Sequence, residues 1–173
     1  YHVDAFIGGL FGDELVNNAA DQEGGVFSGV RVGWDFDHFW GFEGRLGFAD
    51  PTVENSAQKA VVQFFDFHVL YYPWGDAKWR PFFSVGSGIA RYTFSIPAVA
   101  AASEVVYHLP LGVGVKYYFH KPVALRFGLT DNLAFGSNNL STINNFSLTG
   151  SIEWHFGGKR RTYYPYEPSL WPW

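Results

Sequence analysis

The segment from Phe146 to Phe156 alternates strictly between apolar and polar side chains. One face carries Phe146, Leu148, Ile152, Trp154 and Phe156, and the other carries Ser147, Thr149, Ser151, Glu153 and His155. A repeat of two residues predicts a β-strand. Its apolar face ends on aromatic rings, while its polar face includes a carboxylate and an imidazole. This strand alone does not show which of the two faces points inward, so the other strands of the chain must be compared with it.

The composition is unusually aromatic and poor in charge. Of 173 residues, 20% are aromatic and 16% are charged, against roughly 25% charged residues in typical soluble domains. The length fits one domain. No apolar run approaches the roughly 20 residues of a membrane-spanning helix. The net charge of −4 and the lack of cysteine give no reason to expect nucleic-acid partners, disulfides or thiol chemistry. The start at Tyr1, without Met, is expected of a processed mature form.

Eight alternating segments can be traced along the chain. They cover residues 2–11, 25–34, 38–48, 60–72, 79–92, 104–119, 123–130 and 145–156. Connections at 35–37, 73–78 and 120–122 are short and contain Pro, Gly or Asp, which favour turns. Those at 12–24, 49–59, 94–103 and 131–144 are longer. Alternating short turns and long loops predict an eight-stranded antiparallel up-and-down transmembrane β-barrel over residues 1–156.

The charges within these strands share one face of the barrel wall. Each lies opposite the large apolar side chains of its own strand, with Arg91 as the main exception. Eight strands leave an interior just wide enough for side chains, so turning the Trp, Phe and Tyr set inward would overfill it. We therefore expect the charges to line the lumen as an ion-pair network, since buried charges require partners: Asp4, Arg31, Glu43, Arg45, Asp66, His68, Lys116, Arg126 and Glu153.

A set of aromatic residues falls on the outward face at the strand ends joined by the short turns. Such rings are expected at the headgroup level of a membrane. We predict an aromatic girdle of Trp34, Trp40, Tyr71, Trp79, Tyr117 and Trp154. With both termini on this side, the pattern predicts a bacterial outer-membrane location with periplasmic termini and outer-membrane lipid around the wall.

With its strands placed, the chain resembles the small eight-stranded outer-membrane barrels of the OmpA-like and OmpX-like type. The resemblance rests on the alternating strand that ends at Phe156 and on tyrosine-rich strands such as residues 114–119. It implies that Ile152, Trp154 and Phe156 form the signal read by the barrel insertion machinery. This chain departs from the family pattern because it continues beyond Phe156.

The lumen charges allow two interpretations, a polar plug that holds the strands together or a gate that passes ions. An enzyme would need a nucleophile and a base facing lipid or the loops, and the sequence offers no such pair. Asp66 and His68 share a face but lack a third metal ligand. We therefore expect no catalytic residues, no metal and no cofactor.

Residues 157–173 form a tail of a different character. Gly157 and Gly158 break the last strand, a basic cluster follows at 159–161, and the remainder is rich in proline and aromatic residues. Proline favours an extended path, and aromatic residues are typical anchors in binding grooves. We expect a periplasmic tail that binds a periplasmic or membrane protein through Tyr163, Tyr164, Tyr166, Trp171 and Trp173.

These patterns together predict a non-enzymatic structural or accessory subunit of the outer membrane. A narrow pore gated by lumen ion pairs is the alternative. A lipid-modifying enzyme or a surface adhesin would require a catalytic site or a ligand-binding signature, and the sequence shows neither.

Overall fold

The computed structural model describes residues 1–12, 22–53, 60–94, 102–120, 122–135 and 143–157. Within these ranges no helix is long and apolar enough to cross a membrane. Nearly all of the described chain is β-strand.

Eight long strands build the wall of the molecule. They are β1 (His2–Gly12), β3 (Gly25–Asp35), β4 (Trp40–Ala49), β6 (Ala60–Tyr71), β7 (Trp79–Phe94), β8 (Ala102–His120), β9 (Val123–Ala134) and β10 (Ile143–His155). Two short strands, β2 (Gln22–Glu23) and β5 (Thr52–Val53), pair with each other outside the wall.

The eight strands form a closed antiparallel barrel in which each strand pairs with its neighbours in sequence. Pairing of β1 with β10 closes it, from His2 opposite His155 to Gly12 opposite Asn145. We call the end that holds the β3–β4, β6–β7 and β8–β9 connections the turn end, and the opposite end the loop end. Tyr1 and Phe156 also lie at the turn end, where the Phe156 amide donates to the Tyr1 carbonyl at 2.9 Å. Closure pairs the backbone groups that a strand edge would otherwise expose.

The predicted eight-stranded antiparallel barrel is confirmed, with changes at the strand ends. The third predicted strand begins at Trp40 rather than His38. Residues 131–134 extend β9, and residues 143–144 begin β10, although we expected all of them to lie in a loop. Pairing explains this extension, because residues 131–134 lie opposite residues 143–146. The paired pattern outweighs the turn-forming composition of this segment.

The two faces of the wall differ sharply in chemistry. Outward side chains are mostly apolar and exposed, including Val32, Phe67, Leu148 and Ile152 at 57%, 62%, 56% and 62% exposure. The charged side chains at alternate positions are buried inside the barrel. Arg91, the exception noted in the sequence, is exposed on the outer wall. An apolar exterior around a polar interior is the arrangement of a barrel whose solvent is lipid.

Candidate functional site: the barrel lumen

A group of three carboxylates and three basic side chains occupies the lumen toward its turn end. Glu43 accepts from Arg126, with one Nη2–Oε1 distance of 3.1 Å. Lys116 Nζ donates to Glu153 at 2.9 Å. Asp4 lies between two guanidinium groups, 3.6 Å from Arg31 and 3.5 Å from Arg126. Their register explains the meeting, because Asp4 is paired with Arg31 on one side and with Glu153 on the other.

Asp66 is the hub of a second group, farther toward the loop end. Its carboxylate accepts from Arg45, with Nε–Oδ1 and Nη2–Oδ2 distances both of 2.9 Å. It also contacts His108 Nε2 at 3.1 Å and the ring of His68. Arg45 donates additionally to Asn132 Oδ1 at 2.8 Å. The carboxylate is fully buried, and these contacts supply the partners that a buried charge requires.

A third polar cluster closes the turn end. Arg80 Nη1 donates to Asp35 at 2.8 Å, and Nη2 donates to the His38 carbonyl at 2.9 Å. The guanidinium lies 3.5 Å from the centre of the Tyr72 ring, whose hydroxyl donates to Asp35 at 2.9 Å. Burial, reinforced by the Asp35 carboxylate, raises the pKa of Tyr72 well above its usual value. The hydroxyl therefore keeps its proton and acts as a hydrogen-bond donor at physiological pH.

Apolar side chains fill the loop-end part of the lumen. A contiguous buried cluster consists of Phe6, Leu10, Phe27, Ala49, Val62, Phe64, Ala90, Tyr92, Val106 and Ala134. The rings of Phe27 and Phe64 pack edge to face, with centroids 5.5 Å apart. Arg31 lies 4.3 Å from the Phe6 ring centre, so cation–π contact joins the apolar cluster to the charges below it. The interior therefore combines apolar and ionic layers, whereas the sequence pattern emphasised only the charges.

Inward-facing glycines make room for these rings. A β-carbon at Gly47 would lie 2.6 Å from Phe27, and one at Gly29 would lie 2.6 Å from Phe6. Neither distance is possible without displacement. Alternating small and large residues is how a small barrel fills its taper.

All nine residues expected in the lumen network are buried inside the barrel. The structure brings them into the first two groups, with Arg31 also donating to Thr149 at 3.1 Å. Sequence reasoning missed His2, Arg80 and Asn132 as polar members of the interior. His2 lies two residues before Asp4, and Arg80 lies two residues before Phe82. The alternation of a strand therefore predicts that each shares the face of that neighbour. Asn132 lies in β9, within a segment for which the sequence predicts a loop.

The six aromatic residues expected in the girdle lie on the outer wall at the turn end. Neighbouring pairs are in contact, with Trp40–Tyr71 centroids 4.9 Å apart and Trp79–Tyr117 centroids 4.5 Å apart. Trp34 and Trp154 are about half exposed, at 50% and 53%. Ile152 and Phe156 point outward beside Trp154. The five tail residues expected to bind a partner, from Tyr163 to Trp173, lie outside the described residues.

Solved structures of several bacterial proteins match this fold. Neisserial surface protein A aligns over 90% of this chain and 96% of its own, with a TM-score of 0.76 and 12% identity. This chain has the fold of the small eight-stranded outer-membrane β-barrels. The N-terminal barrel domain of OprF from Pseudomonas aeruginosa aligns over 90% of this chain and 97% of its own, with a TM-score of 0.56 and 14% identity. The attachment invasion locus protein Ail of Yersinia pestis aligns over 88% and 98%, with a TM-score of 0.54 and 13% identity.

No protein-family model matches the sequence, and the search of curated proteins gives no match. At these identities the structural likeness concerns the fold of this outer-membrane-type barrel alone. Any role must therefore be argued from its own side chains.

Proposed function

We propose that this chain spans a bacterial outer membrane as a closed, non-conducting barrel and serves as a non-enzymatic structural or accessory subunit. The observation that carries the proposal is the inverted wall, apolar outside and charged inside. In water this surface would expose a continuous apolar band, which soluble proteins avoid. In lipid the same band is favourable, and the antiparallel closure satisfies the backbone.

The orientation that we propose places both termini in the periplasm. Outer-membrane barrels have short periplasmic turns and longer extracellular loops. The turn end carries the short connections 36–39 and 72–78 together with the aromatic girdle. Tyr1 and Phe156 lie at this same end and contact each other, with ring centroids 6.3 Å apart.

The packing of the lumen supports a non-conducting role over the alternative of a gated pore. A cavity of about 10 Å³ lies among Arg31, Arg45, His68 and Arg126, which is space for about one water molecule. Toward the loop end the apolar cluster blocks the path, and toward the turn end Arg80 and Tyr72 fill it. Ion passage would require these rings to move and not only an exchange of ion pairs.

The position of the one carboxylate–imidazole pair considered for catalysis supports a non-enzymatic role. Asp66 and His68 are buried within the lumen, where membrane lipid has no access. The carboxylate is already engaged by Arg45 and His108. These contacts fit a structural pair better than a general base, which needs reach to a substrate.

A planar-bilayer recording tests the non-conducting role. Purified full-length chain at high protein-to-lipid ratio is expected to give no unitary conductance steps in concentrated potassium chloride. A variant with Phe64, Tyr92 and Arg80 all changed to Ala opens the packed layers and serves as the positive control for insertion. Regular conductance steps from the unaltered chain would favour the gated pore and contradict the proposal.

The accessory role rests on the tail, and a pulldown from native membranes in mild detergent tests it. The full chain is compared with a chain that ends at Arg161 and with a full-length Trp171→Ala/Trp173→Ala variant. We expect a co-purifying protein that is lost in both altered chains. Retention of that protein by the truncated chain would contradict docking through the tail while leaving the barrel itself unaffected.

A further inference from the structure

Three potential metal ligands meet where the barrel closes at the turn end. Pairing of β1 with β10 sets His2 directly opposite His155. Glu153 precedes His155 by two residues, so its side chain lies on the same inward face of β10. The two imidazole rings are tilted toward each other, with centroids 5.5 Å apart.

The donor atoms of these residues are close enough to share one ion. His155 Nε2 lies 2.6 Å from Glu153 Oε1, and His2 Nε2 lies 4.0 Å from Glu153 Oε2. One ligand atom from each residue lies within 4.8 Å of the others. Tetrahedral Zn²⁺ with bonds of about 2.0–2.2 Å places its donors about 3.3–3.6 Å apart. The two distances to Glu153 lie on either side of this range, and the two imidazole donors lie within 4.8 Å of each other.

The ligand chemistry selects the kind of ion. Two imidazoles with one carboxylate suit Zn²⁺ and neighbouring divalent transition metals, whereas Ca²⁺ and Mg²⁺ prefer oxygen donors only. His2 and Glu153 are fully buried, and the His155 side chain is 24% exposed. The site thus opens to solvent on the His155 side, which provides an approach for an aqueous ion.

The surroundings of His2 favour a cation at this point. Its Nε2 atom faces a second carboxylate, Glu43, at 3.4 Å. Its Nδ1 atom is buried and has no hydrogen-bond partner among the described residues, although buried polar atoms are usually paired. The Nε2 atom that would bind the ion therefore lies between two carboxylates, those of Glu43 and Glu153.

We propose that His2, Glu153 and His155 form a binding site for one divalent transition-metal ion, best suited to Zn²⁺. The site is distinct from the Asp66–His68 pair, which lies farther along the lumen. It does not depend on the proposed structural role, since a scaffold and a pore would both retain it.

Two neighbouring cations compete with the metal for Glu153. Lys116 Nζ lies 2.9 Å from the carboxylate, and Arg126 Nη1 lies 3.7 Å from it. Like charges repel strongly in a poorly solvated site. Replacing Lys116 with the uncharged Met, which has a similar length, should therefore tighten metal binding, whereas a loss of general stability would weaken it.

Calorimetric titration of the folded full-length chain with Zn²⁺, without a histidine tag and at neutral pH, tests the site. We expect one ion per chain and at least a tenfold rise in Kd for His155→Ala and for Glu153→Gln. His38→Ala, which removes another histidine at the same end, should leave Kd unchanged. Lys116→Met should lower Kd at least threefold. Titration with Co²⁺ should give visible d–d absorption bands that disappear in His155→Ala.

Because His155 is partly exposed, its replacement tests the site without disturbing the buried layers, and circular dichroism verifies that each variant is folded. The absence of saturable binding would overturn the proposal, as would a Kd that stays the same in His155→Ala. A Kd for Lys116→Met equal to or above that of the parent chain would overturn the assignment of Glu153 as a ligand.

Discussion

At the scale of single residues, Asp66 is the carboxylate on which the central packing depends most clearly. Replacing it with Ala leaves the buried Arg45 guanidinium with Asn132 as its hydrogen-bond partner among the described residues. Removing one partner of a buried ion pair typically costs about 3–5 kcal/mol. We therefore expect Asp66→Ala to lower the free energy of unfolding by about that amount, measured by urea titration in lipid vesicles.

Two comparisons separate this effect from a general loss of charge. Asp50→Ala, at an exposed carboxylate, should change stability little. Adding Arg45→Met to Asp66→Ala should recover at least half of the loss, because the unpaired charge is then gone. A double variant as unstable as the sum of the two single variants would contradict the assignment.

A second residue-scale prediction concerns two glycines that are paired across β8 and β9, Gly114 and Gly128. A β-carbon at Gly114 would overlap both the Phe82 ring and the Phe127 carbonyl, whereas one at Gly128 would meet nothing closer than 3.6 Å. Gly114→Ala should lower stability by about 1–3 kcal/mol, the usual effect of overpacking. Gly128→Ala should be nearly neutral. Equal effects in the same urea titration would show that strand propensity, and not ring packing, determines these positions.

At the scale of the strand, the alternating pattern is sufficient to predict all eight wall strands and to place their charged side chains on the inward face. A repeat of two residues determines the face that each side chain occupies, so the sequence alone predicts Glu43, Arg126 and Glu153 on the inward face. The pattern does not determine where pairing stops. The extension of β9 through Asn132 depends on β10 lying opposite it, which is a relation between distant segments.

The contacts within the lumen could not be predicted from any one strand. Parity places Asp66 and His108 on the inward face, but their 3.1 Å contact depends on register across β7 and β8. The aromatic layer is a similar case, because β6 carries Phe64 inward and Phe65 outward. Hydrophobic character alone does not distinguish these two phenylalanines, whereas their position relative to Asp66 does.

The last strand carries a prediction about assembly. Phe146 lies near the start of β10 and Phe156 directly follows its end, and both point outward with similar exposures of 46% and 48%. If Phe156 belongs to the insertion signal, Phe156→Ala should slow folding into vesicles that contain the insertion machinery by severalfold. Phe146→Ala should slow it much less. Heat-modifiable gel mobility gives the folded fraction over time, and equal rates for the two variants would contradict a signal role for Phe156.

At the scale of the whole molecule, the usual distribution of side chains is reversed, with apolar residues outside and charged residues inside. A single closed sheet surrounds the ionic and aromatic layers of the interior. In the central groups, side chains of opposite charge contact each other. Because these charges compensate one another, the lumen can remain packed and exclude lipid. The outer wall supplies the apolar surface that a bilayer requires. This division between the two faces supports the proposed location of the barrel in an outer membrane.

Spin-label accessibility in lipid bilayers tests this division most directly. The chain has no cysteine, so single labels can be attached at Leu129→Cys, Leu148→Cys and Ile152→Cys on the outer wall and at Lys78→Cys in an exposed turn. We expect the three wall labels to collide mainly with oxygen, which is concentrated in lipid, and the Lys78→Cys label to collide mainly with a water-soluble nickel complex. Wall labels that collide mainly with the nickel complex would contradict a membrane-spanning barrel.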